Sequence, residues 1–318
     1  MKINLLIVTE KIMSQAFIKK EGIAQSYLSR YLLVLEKGCR LKTIGELAKD
    51  CDLSVGLMQS ALKSLEALGA INIERRGRNG SFIAMIDHKL LIKFANIGNI
   101  VCAMPLPYAR VYEGLASGLK TQFLDIPFYF AHMRGSDIRI ECLENGVYDL
   151  AVTSRLAAEQ HLIEHNVHIA LALGKYSYAE GHKLIYRQGA LNDIRRVGVD
   201  STSTDQKIIT EQWSTGGNYD FVDVSYHECL NKIVSGEIDA AIWNVGQGKE
   251  LEQLGLTTQS LVDDKNLNHD YFYKASEAVI LTRKDDIQLQ QLITTMIDPN
   301  ALLAHQKHVI DGVIEPVY

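Results

Sequence analysis

Three arginines and two glycines lie within six residues, in the stretch Arg75-Arg76-Gly77-Arg78-Asn79-Gly80. Arginine presents five N–H donors in a planar fork that matches the oxygens of a phosphate group. Glycine permits the positive φ angles of tight turns, so this stretch predicts a turn that exposes its cations. Such a turn is suited to contact the phosphate backbone or the minor groove of DNA.

The segments around this turn indicate how it is positioned. Residues 70–74 and 81–84 alternate between apolar and polar side chains, which predicts a β-hairpin with the basic turn at its tip. Two short amphipathic helices precede the hairpin. Thr43 and Glu46 have the spacing of a capping box at the start of the first helix, Ser54 is the expected N-cap of the second, and Gly69 ends it. Their apolar stripes have helical spacing: Ile44, Leu47, Ala48 and Cys51, then Leu57, Met58, Ala61, Leu62, Leu65 and Leu68.

Two helices followed by a hairpin with a cationic tip predict a winged helix-turn-helix, whose second helix enters the major groove of DNA. Gln59 lies one turn into that helix, and glutamine can pair with N6 and N7 of adenine. A small α+β packing module would have the same elements but no need for three arginines in its turn. The predicted DNA-binding residues are Thr43, Ser54, Val55, Gln59, Ser60, Lys63, Arg75, Arg76, Arg78, Asn79 and Gly80.

This segment resembles the DNA-binding domain of GntR-type bacterial regulators. The resemblance lies in the Ser-led recognition helix, in its ending Leu65-Glu66-Ala67-Leu68-Gly69, and in the wing Arg76-Gly77-Arg78-Asn79-Gly80-Ser81-Phe82-Ile83. GntR regulators usually carry arginine just after the serine and again four residues later, where this chain has Val55 and Gln59. A GntR operator sequence is therefore not implied. Over nearly its full length the chain resembles the YhfZ group of regulators.

The distribution of charge agrees with a DNA-binding N-terminal region. Residues 1–88 hold 13 Lys and Arg against 9 Asp and Glu, a net charge of +4, whereas the remainder holds 20 against 29, a net charge of −9. A cationic region on an anionic body suits DNA binding by one end of the molecule.

The rest of the composition predicts a soluble cytoplasmic protein without membrane attachment. The chain is 47% hydrophobic and 22% charged, as is ordinary for globular proteins. Its five cysteines form no CxxC pair and no zinc spacing, which indicates reduced thiols. Residues 1–13 lack the long apolar stretch of a signal peptide, and no apolar run reaches the roughly 20 residues that a membrane helix needs.

The region from residue 100 onward alternates strands and helices, which predicts parallel α/β sheets. The sequence Gly-x-x-Asp-apolar-Ala occurs twice, with Gly146 and Asp149 repeated 90 residues later as Gly236 and Asp239. This internal repeat predicts two lobes. We assign residues 1–88 to the winged helix-turn-helix, with 1–24 as a leader or a DNA-contacting arm, and 89–99 to a connector. We predict that residues 100–318 form the effector domain, with about 100–188 and 277–318 in lobe I and about 189–276 in lobe II.

A chain that builds one lobe, then a second, and returns to the first resembles type 2 periplasmic-binding-protein folds, which LysR-type regulators use as effector domains. The predicted fold class is thus a winged helix-turn-helix followed by a bilobed α/β domain of that type. Ligands of such sheets bind beyond the carboxyl ends of the strands. The four hydroxyl residues 201–204 open a helix there and favour a carboxylate or phosphate ester, although a single N-cap needs only one of them. The predicted effector-binding residues are Met104, Pro105, Leu106, Arg134, Thr153, Ser154, Arg155, Ser201, Thr202, Ser203, Thr204, Trp243 and Asn244.

No pattern of residues predicts catalysis, a cofactor or a metal. His161, Glu164, His165 and His168 lack the H-E-x-x-H order of a zinc protease, so a solvated helix face is the better interpretation. We therefore predict a non-enzymatic, homodimeric regulator that binds double-stranded operator DNA and a small anionic effector. Two alternatives stay open: an α/β domain that only dimerises, and an enzyme of binding-protein fold tethered to DNA.

Overall fold

The computed structural model describes residues 20–124, 126–244, 249–261 and 267–318. The chain forms two compact units. The N-terminal unit contains the chain up to Gly98 together with Ile287–Met296, and the α/β unit contains Asn99–Asp286 and Ile297–Tyr318. Of the predicted leader, residues 1–19 lie outside the described residues, and residues 20–24 belong to the first helix.

The N-terminal unit has the predicted order of helices followed by a hairpin. Its elements are α1 (Lys20–Leu33), α2 (Ile44–Asp50), α3 (Val55–Ala67), β1 (Ile71–Arg75), β2 (Ser81–Ile86), α4 (His88–Phe94) and α12 (Ile287–Met296). The core lies between α1 and α3, where Leu28, Met58 and Leu65 are fully buried. The strands β1 and β2 pair antiparallel, and a 3₁₀ turn at Gly77–Asn79 joins them. The winged helix-turn-helix is therefore present as predicted.

Two parts of the N-terminal unit differ from the sequence prediction. The expected connector 89–99 begins as helix α4, which Asp87 caps by accepting a hydrogen bond from the Leu90 N–H. Helix α12 was predicted in lobe I, but it packs against α1 and α4 with Leu289, Leu292 and Ile293 buried. An apolar stripe shows that a helix packs on something without showing which partner it packs on, so the sequence did not reveal this placement.

The α/β unit contains two five-stranded sheets, one in each lobe. The first contains β3 (Ile100–Met104), β4 (Phe128–His132), β5 (Leu150–Ser154), β6 (Val167–Ala172) and β12 (Ala278–Arg283). The second contains β7 (His182–Arg187), β8 (Arg196–Val199), β9 (Asp220–Asp223), β10 (Ala240–Asn244) and β11 (Leu256–Ser260). The helices of the unit are α5 (Arg110–Gln122), α6 (Ser136–Glu144), α7 (Arg155–His161), α8 (Thr204–Trp213), α9 (Cys229–Ser235), α10 (Lys249–Gln253), α11 (His269–Ser276) and α13 (Pro299–Ile310).

The two sheets share one topology. Their strand orders are β4-β3-β5-β12-β6 and β9-β8-β10-β7-β11. In each, the first three strands are parallel and the last two join by antiparallel pairing. The sheets are therefore mixed, not parallel as predicted. Strand β7 also lies in the second sheet, so the chain crosses between lobes before residue 182 and not at the predicted 188. Strand β7 follows β6 of the first sheet along the chain but belongs to the second sheet. Strand β12 follows β11 of the second sheet but belongs to the first.

The repeated aspartates make equivalent contacts in the two lobes. Asp149 donates its N–H to the Val101 carbonyl (3.0 Å) and accepts from the Val101 N–H through Oδ2 (2.9 Å). Asp239 does the same with Arg196, at 2.7 Å and 2.8 Å. Each aspartate therefore fixes the start of its strand against the neighbouring parallel strand.

The repeated glycines lie in equivalent turns. Gly146 and Gly236 have φ angles of 70° and 80°, which glycine adopts without strain. In each lobe an arginine from the antiparallel strand, Arg283 or Arg187, donates to two carbonyls around this turn. The acceptors are Leu143 and Tyr148 in the first lobe and Ile233 and Ile238 in the second. The 90-residue repeat of the sequence is therefore a structural repeat, which confirms two lobes.

Candidate functional site

The recognition helix α3 presents its predicted contact residues on one exposed face. Ser54 caps the helix by accepting from the Leu57 N–H (3.3 Å). Val55, Gln59, Ser60 and Lys63 are all exposed, opposite the buried side of the helix. Thr43 has a different task, because its hydroxyl accepts from the Glu46 N–H while Glu46 accepts from the Thr43 N–H (2.7 Å), completing the predicted capping box.

Two of the three wing arginines form ion pairs with glutamates. Arg75 pairs with Glu66 of α3 (2.6 Å) and Arg76 pairs with Glu74 (2.8 Å), although both guanidinium groups stay more than half exposed. Arg78 lies in the exposed 3₁₀ turn beside Asn79, and no ion pair to it occurs within the described residues. Exposed ion pairs contribute little stability, so Arg75 and Arg76 can exchange carboxylates for phosphates at small cost.

The α/β unit contains a partly open cavity of about 80 Å³ at the carboxyl ends of its parallel strands. Residues from both lobes line it, as expected for a ligand site in such sheets. The lining residues are Pro105, Leu106, Tyr108, Tyr112, Met133, Arg134, Gly135, Ser136, Arg139, Tyr178, Ala179, His182, Asp200, Thr202, Ser203, Thr204, Asp205, Tyr226 and Asn244.

Arg139 is the most unusual group of this cavity. Its side chain on α6 is 3% exposed and donates to the carbonyls of Val152 (3.1 Å) and Met133 (2.9 Å) and to the Tyr178 hydroxyl (3.1 Å). All three acceptors are neutral, and no carboxylate among the described residues forms an ion pair with Arg139. The three bonds use three of the five guanidinium donors. A buried charge is expensive unless it is compensated, so an anion in the cavity would stabilise the Arg139 guanidinium.

Three helices begin at the cavity without a side-chain cap. These are α5, α6 and α8, whose N-cap residues Ala109, Gly135 and Ser203 make no capping hydrogen bond. By contrast, Ser154, Asn268 and Asp298 cap α7, α11 and α13, which start elsewhere. Free N–H groups and the helix dipole at an uncapped N-terminus favour a negative charge.

Two carboxyl groups of the second lobe also reach the cavity. Asp200 accepts from the backbone and hydroxyl of Thr202 and from the Tyr226 N–H, and it pairs with Arg134 (3.3 Å). Burial raises its pKa, but these hydrogen bonds outweigh burial and hold the pKa below its ordinary value. Asp205 accepts the Ser154 hydroxyl (2.7 Å), and burial raises its pKa to about 7. Arg134 is therefore compensated, whereas Asp205 is partly protonated near neutral pH and balances Arg139 incompletely.

His182 adds a buried polar group without a partner. It is 6% exposed, lines the cavity, and its Nδ1 atom has no hydrogen-bond partner among the described residues. Burial lowers its pKa to about 4, so the ring is neutral at pH 7. A buried ring nitrogen of this kind can take its partner from a water molecule or from a ligand in the cavity.

The structure brings together seven of the thirteen predicted effector residues at this cavity: Pro105, Leu106, Arg134, Thr202, Ser203, Thr204 and Asn244. The other six lie outside its lining. Met104 and Thr153 are buried in their strands, and Ser154 caps α7 while it donates to Asp205. Arg155 pairs with Glu159 (2.8 Å) and Glu277 (3.2 Å), so it is an ion-paired surface residue.

Ser201 and Trp243 complete the residues outside the lining. Ser201 is exposed and donates its N–H to Asp223 (3.3 Å), and the Trp243 ring stacks on Tyr226 at 3.9 Å between centroids. Sequence reasoning missed Arg139, His182, Asp205 and the four lining tyrosines. In the sequence, the only feature that could have indicated these residues was their position near predicted strand ends. They come together at one cavity only because the two lobes contact each other.

The histidines tested for metal binding have ordinary partners. His161 contacts Asp137 (2.9 Å) and His165 contacts Glu144 (2.6 Å). Among the described residues, no group of three or more His, Cys, Asp or Glu side chains has the arrangement of a metal site. None of the helices in the described ranges has the length and apolar character to span a membrane.

Comparison with known proteins identifies relatives over the whole architecture. Residues 36–83 match a family model described as a helix-turn-helix domain, and residues 87–318 match the YhfZ C-terminal domain. The chain is 55% identical over 306 residues to the uncharacterized protein YhfZ of Escherichia coli strain K12, which covers 96% of this chain and 100% of that protein.

Two solved structures are similar to parts of the chain. The crystal structure of YhfZ from Shigella flexneri is 54% identical, covers 72% of this chain and 97% of that chain, and has a TM-score of 0.62. The periplasmic aliphatic sulphonate binding protein SsuA from Escherichia coli is 13% identical and covers 68% of this chain and 77% of that chain, with a TM-score of 0.49. A similarity this distant does not indicate which ligand this chain binds. The predicted fold class and family resemblance are confirmed, and this chain is a member of the YhfZ family.

Proposed function

We propose that this chain is a cytoplasmic transcription regulator that binds operator DNA through its winged helix-turn-helix and a small anionic metabolite in the cavity of its α/β unit. The DNA-binding part is supported by the matched helix-turn-helix model and by the exposed face of Gln59, Ser60 and Lys63 beside a basic wing. The helix and the wing support a GntR-like docking, with α3 in the major groove and the wing on the backbone.

The observation that carries the effector part is the buried, incompletely compensated guanidinium of Arg139. A ligand carboxylate or phosphate would accept its two remaining N–H donors and supply the missing negative charge. The uncapped starts of α5, α6 and α8 add further donors around the same space. The small volume of about 80 Å³ favours a compact anion.

The chain path supports communication between the two functions. After β12 the chain leaves the α/β unit, forms α12 in the N-terminal unit, and returns as α13. We propose that the regulator is a homodimer and that the effector stabilises one arrangement of the lobes. Through this population shift the effector would change how the two winged helices of the dimer fit their operator.

A thermal-shift screen of anionic metabolites tests the effector part. A ligand that binds only the folded protein adds about 2.7 kcal/mol at a hundredfold excess over its dissociation constant, so the melting temperature rises. Ser203→Ala should reduce the shift because Ser203 lines the cavity, whereas Ser201→Ala is the matched control outside it. A hit that responds equally to both variants would place the ligand elsewhere.

Two alternatives have weaker support. An α/β domain that only dimerises would leave the Arg139 charge and the His182 ring nitrogen without partners in the functional state. An enzyme would need a nucleophile or general base in the cavity. Asp205, with its pKa raised to about 7, could act as a general base, but the hydroxyl that it accepts belongs to Ser154, which lies outside the cavity lining.

A further inference from the structure

The N-terminal unit contains a groove between the recognition helix and the wing, with a volume of about 400 Å³. This is the size of pockets that hold small organic groups. Gln59 and Lys63 of α3 form one side, and Arg75, Gly80 and Ser81 of the wing form the other. The segment 40–44, which leads into α2, also lines the groove. Arg40, Lys42, Lys63 and Arg75 give this groove four basic lining residues.

These four cations differ in their partners. Lys42 pairs with Asp50 (2.8 Å) and Arg75 pairs with Glu66 (2.6 Å). Arg40 and Lys63 are exposed, and neither side chain has a hydrogen bond or an ion pair to any described residue. The groove therefore contains two uncompensated positive charges from two different elements.

The backbone around Arg40 fixes its position against the wing. Arg40 forms an isolated antiparallel bridge with Phe82 of β2, and its guanidinium group then lies across Gly80. A Cβ atom on Gly80 would come within 2.9 Å of Arg40 Nε. A Cβ atom on Gly77, the other wing glycine with a positive φ angle, would meet nothing within 4 Å. Gly80 thus leaves open the space that the Arg40 side chain occupies.

We propose that this groove holds a DNA backbone phosphate, with Arg40 and Lys63 as its two cations and Gly80 as the residue that lets Arg40 reach it. The proposal rests on the proposed DNA-binding function. It adds a phosphate-binding site that is separate from the basic tip of the wing. A phosphate between α3 and the wing would fix the depth at which α3 lies in the major groove, because backbone contacts set the register of a protein on the duplex.

Salt-dependent binding of the full chain to random double-stranded DNA tests this proposal. The slope of log affinity against log salt concentration decreases by about 0.9 for each phosphate contact that is lost. Arg40→Gln and Lys63→Gln should each lower the slope, and the double variant should lower it by about this amount, because both cations contact the same phosphate. Lys89→Gln is the matched control, since it removes one exposed cation of the same unit on α4, outside the groove.

A double-mutant cycle tests the role of Gly80. Gly80→Ala should weaken DNA binding in the wild-type background, partly through backbone strain at its φ of 94° and partly by displacing Arg40. In the Arg40→Gln background the second part should vanish, so the two effects should not add. Gly77→Ala should add normally with Arg40→Gln.

The outcomes separate this proposal from the function on which it rests. If the wild type binds DNA and the slopes of Arg40→Gln and Lys63→Gln match that of Lys89→Gln, the groove holds no phosphate while DNA binding stands. If the wild type binds no DNA even at low salt, both proposals fail. If the effects of Gly80→Ala and Arg40→Gln on the free energy of DNA binding add fully, Gly80 does not act through Arg40.

Discussion

Arginines of the two units face opposite electrostatic situations. On the wing, Arg75 and Arg76 are 60% and 51% exposed and each pairs with a nearby glutamate. In the cavity of the α/β unit, Arg139 is 3% exposed, and its hydrogen-bond acceptors among the described residues are all neutral. The exposed arginines therefore have carboxylate partners that they hardly need, while the buried arginine lacks the partner that it does need.

This difference indicates two kinds of recognition. Water screens the wing cations, so they can exchange Glu66 and Glu74 for any phosphate with a small change in free energy, which suits sequence-independent contact with DNA. Arg139 has been removed from water, so its interaction with an anion is strong and depends on geometry. The wing should thus bind many anionic surfaces weakly, and the cavity should bind one compact anion tightly.

The largest expected effect is the loss of anion binding on replacement of Arg139. Charge-assisted hydrogen bonds contribute about 1.5–3 kcal/mol each, so Arg139→Met should lower the affinity for a thermal-shift hit on the order of 100-fold. Isothermal titration of the purified variant measures this change. Arg155→Met serves as the control, because Arg155 is an ion-paired arginine outside the cavity.

If Arg139→Met fails to fold, Arg139→Lys keeps the charge and removes the planar fork. It should retain part of the affinity, since lysine acts as a point charge and cannot form a bidentate contact. Equal affinities of the wild type, Arg139→Lys and Arg139→Met would erase the proposed contrast between the cavity and the wing.

Specific recognition by α3 should be the next largest effect. Gln59 is exposed on the recognition helix, and loss of a bidentate contact with adenine costs about 1–3 kcal/mol. Gln59→Ala should lower the affinity for the operator, selected from a random DNA library, by about this amount and change the affinity for random DNA little. Equal losses on both DNAs would show that Gln59 reads no base.

The buried carboxyl group of Asp205 should make stability depend on pH. Its pKa is raised by burial from 3.8 to about 7, so between these values the folded protein holds a proton that the unfolded chain releases. Stability from this group is therefore complete below pH 4 and decreases, by about 1 kcal/mol per pH unit, as the pH rises to 7. Chemical denaturation at pH 5 and pH 8 should show a larger loss for the wild type than for Asp205→Asn. The opposite order would contradict the burial of Asp205.

The wing ion pairs give the smallest expected effect, and its sign is informative. Glu66→Gln removes the carboxylate that occupies Arg75, so affinity for random DNA should rise several-fold at low salt. Arg78→Ala, which removes a wing cation without a carboxylate partner, should lower the affinity and decrease the salt slope by about 0.9. If Glu66→Gln weakens binding, the Arg75–Glu66 pair positions the wing instead of competing with DNA.

The features that the sequence predicted depend on neighbours along the chain. The capping box of Thr43 and Glu46, the Ser54 cap and the wing turn are all local patterns, and each is present. The 90-residue repeat could also be recognised in the sequence. Equivalent turns require glycine at positions 146 and 236, and equivalent hydrogen bonds to the neighbouring strand require aspartate at positions 149 and 239. The winged helix and the two lobes could therefore be predicted from the sequence.

The features that the sequence did not reveal depend on distant parts of the chain. Strand β7 joins the second sheet and α12 joins the N-terminal unit, although neither segment differs in pattern from its neighbours. In the sequence Arg139 does not differ from the other charged residues of helices. Its burial depends on acceptors from three other segments, at Met133, Val152 and Tyr178. Ser201 shares its residue type with Ser203, and only the three-dimensional turn directs one of them to the cavity.

The most direct test of the whole account is the effect of a cavity-binding anion on DNA binding by the full chain. Fluorescence anisotropy should be measured with the selected operator at fixed ionic strength, with and without a saturating thermal-shift hit. We expect the dissociation constant for DNA to change by about 5-fold or more in the wild type, as typical coupling free energies produce, and to stay constant in Arg139→Met. An unchanged dissociation constant in the wild type at saturating anion would contradict the claim that this cavity regulates DNA binding.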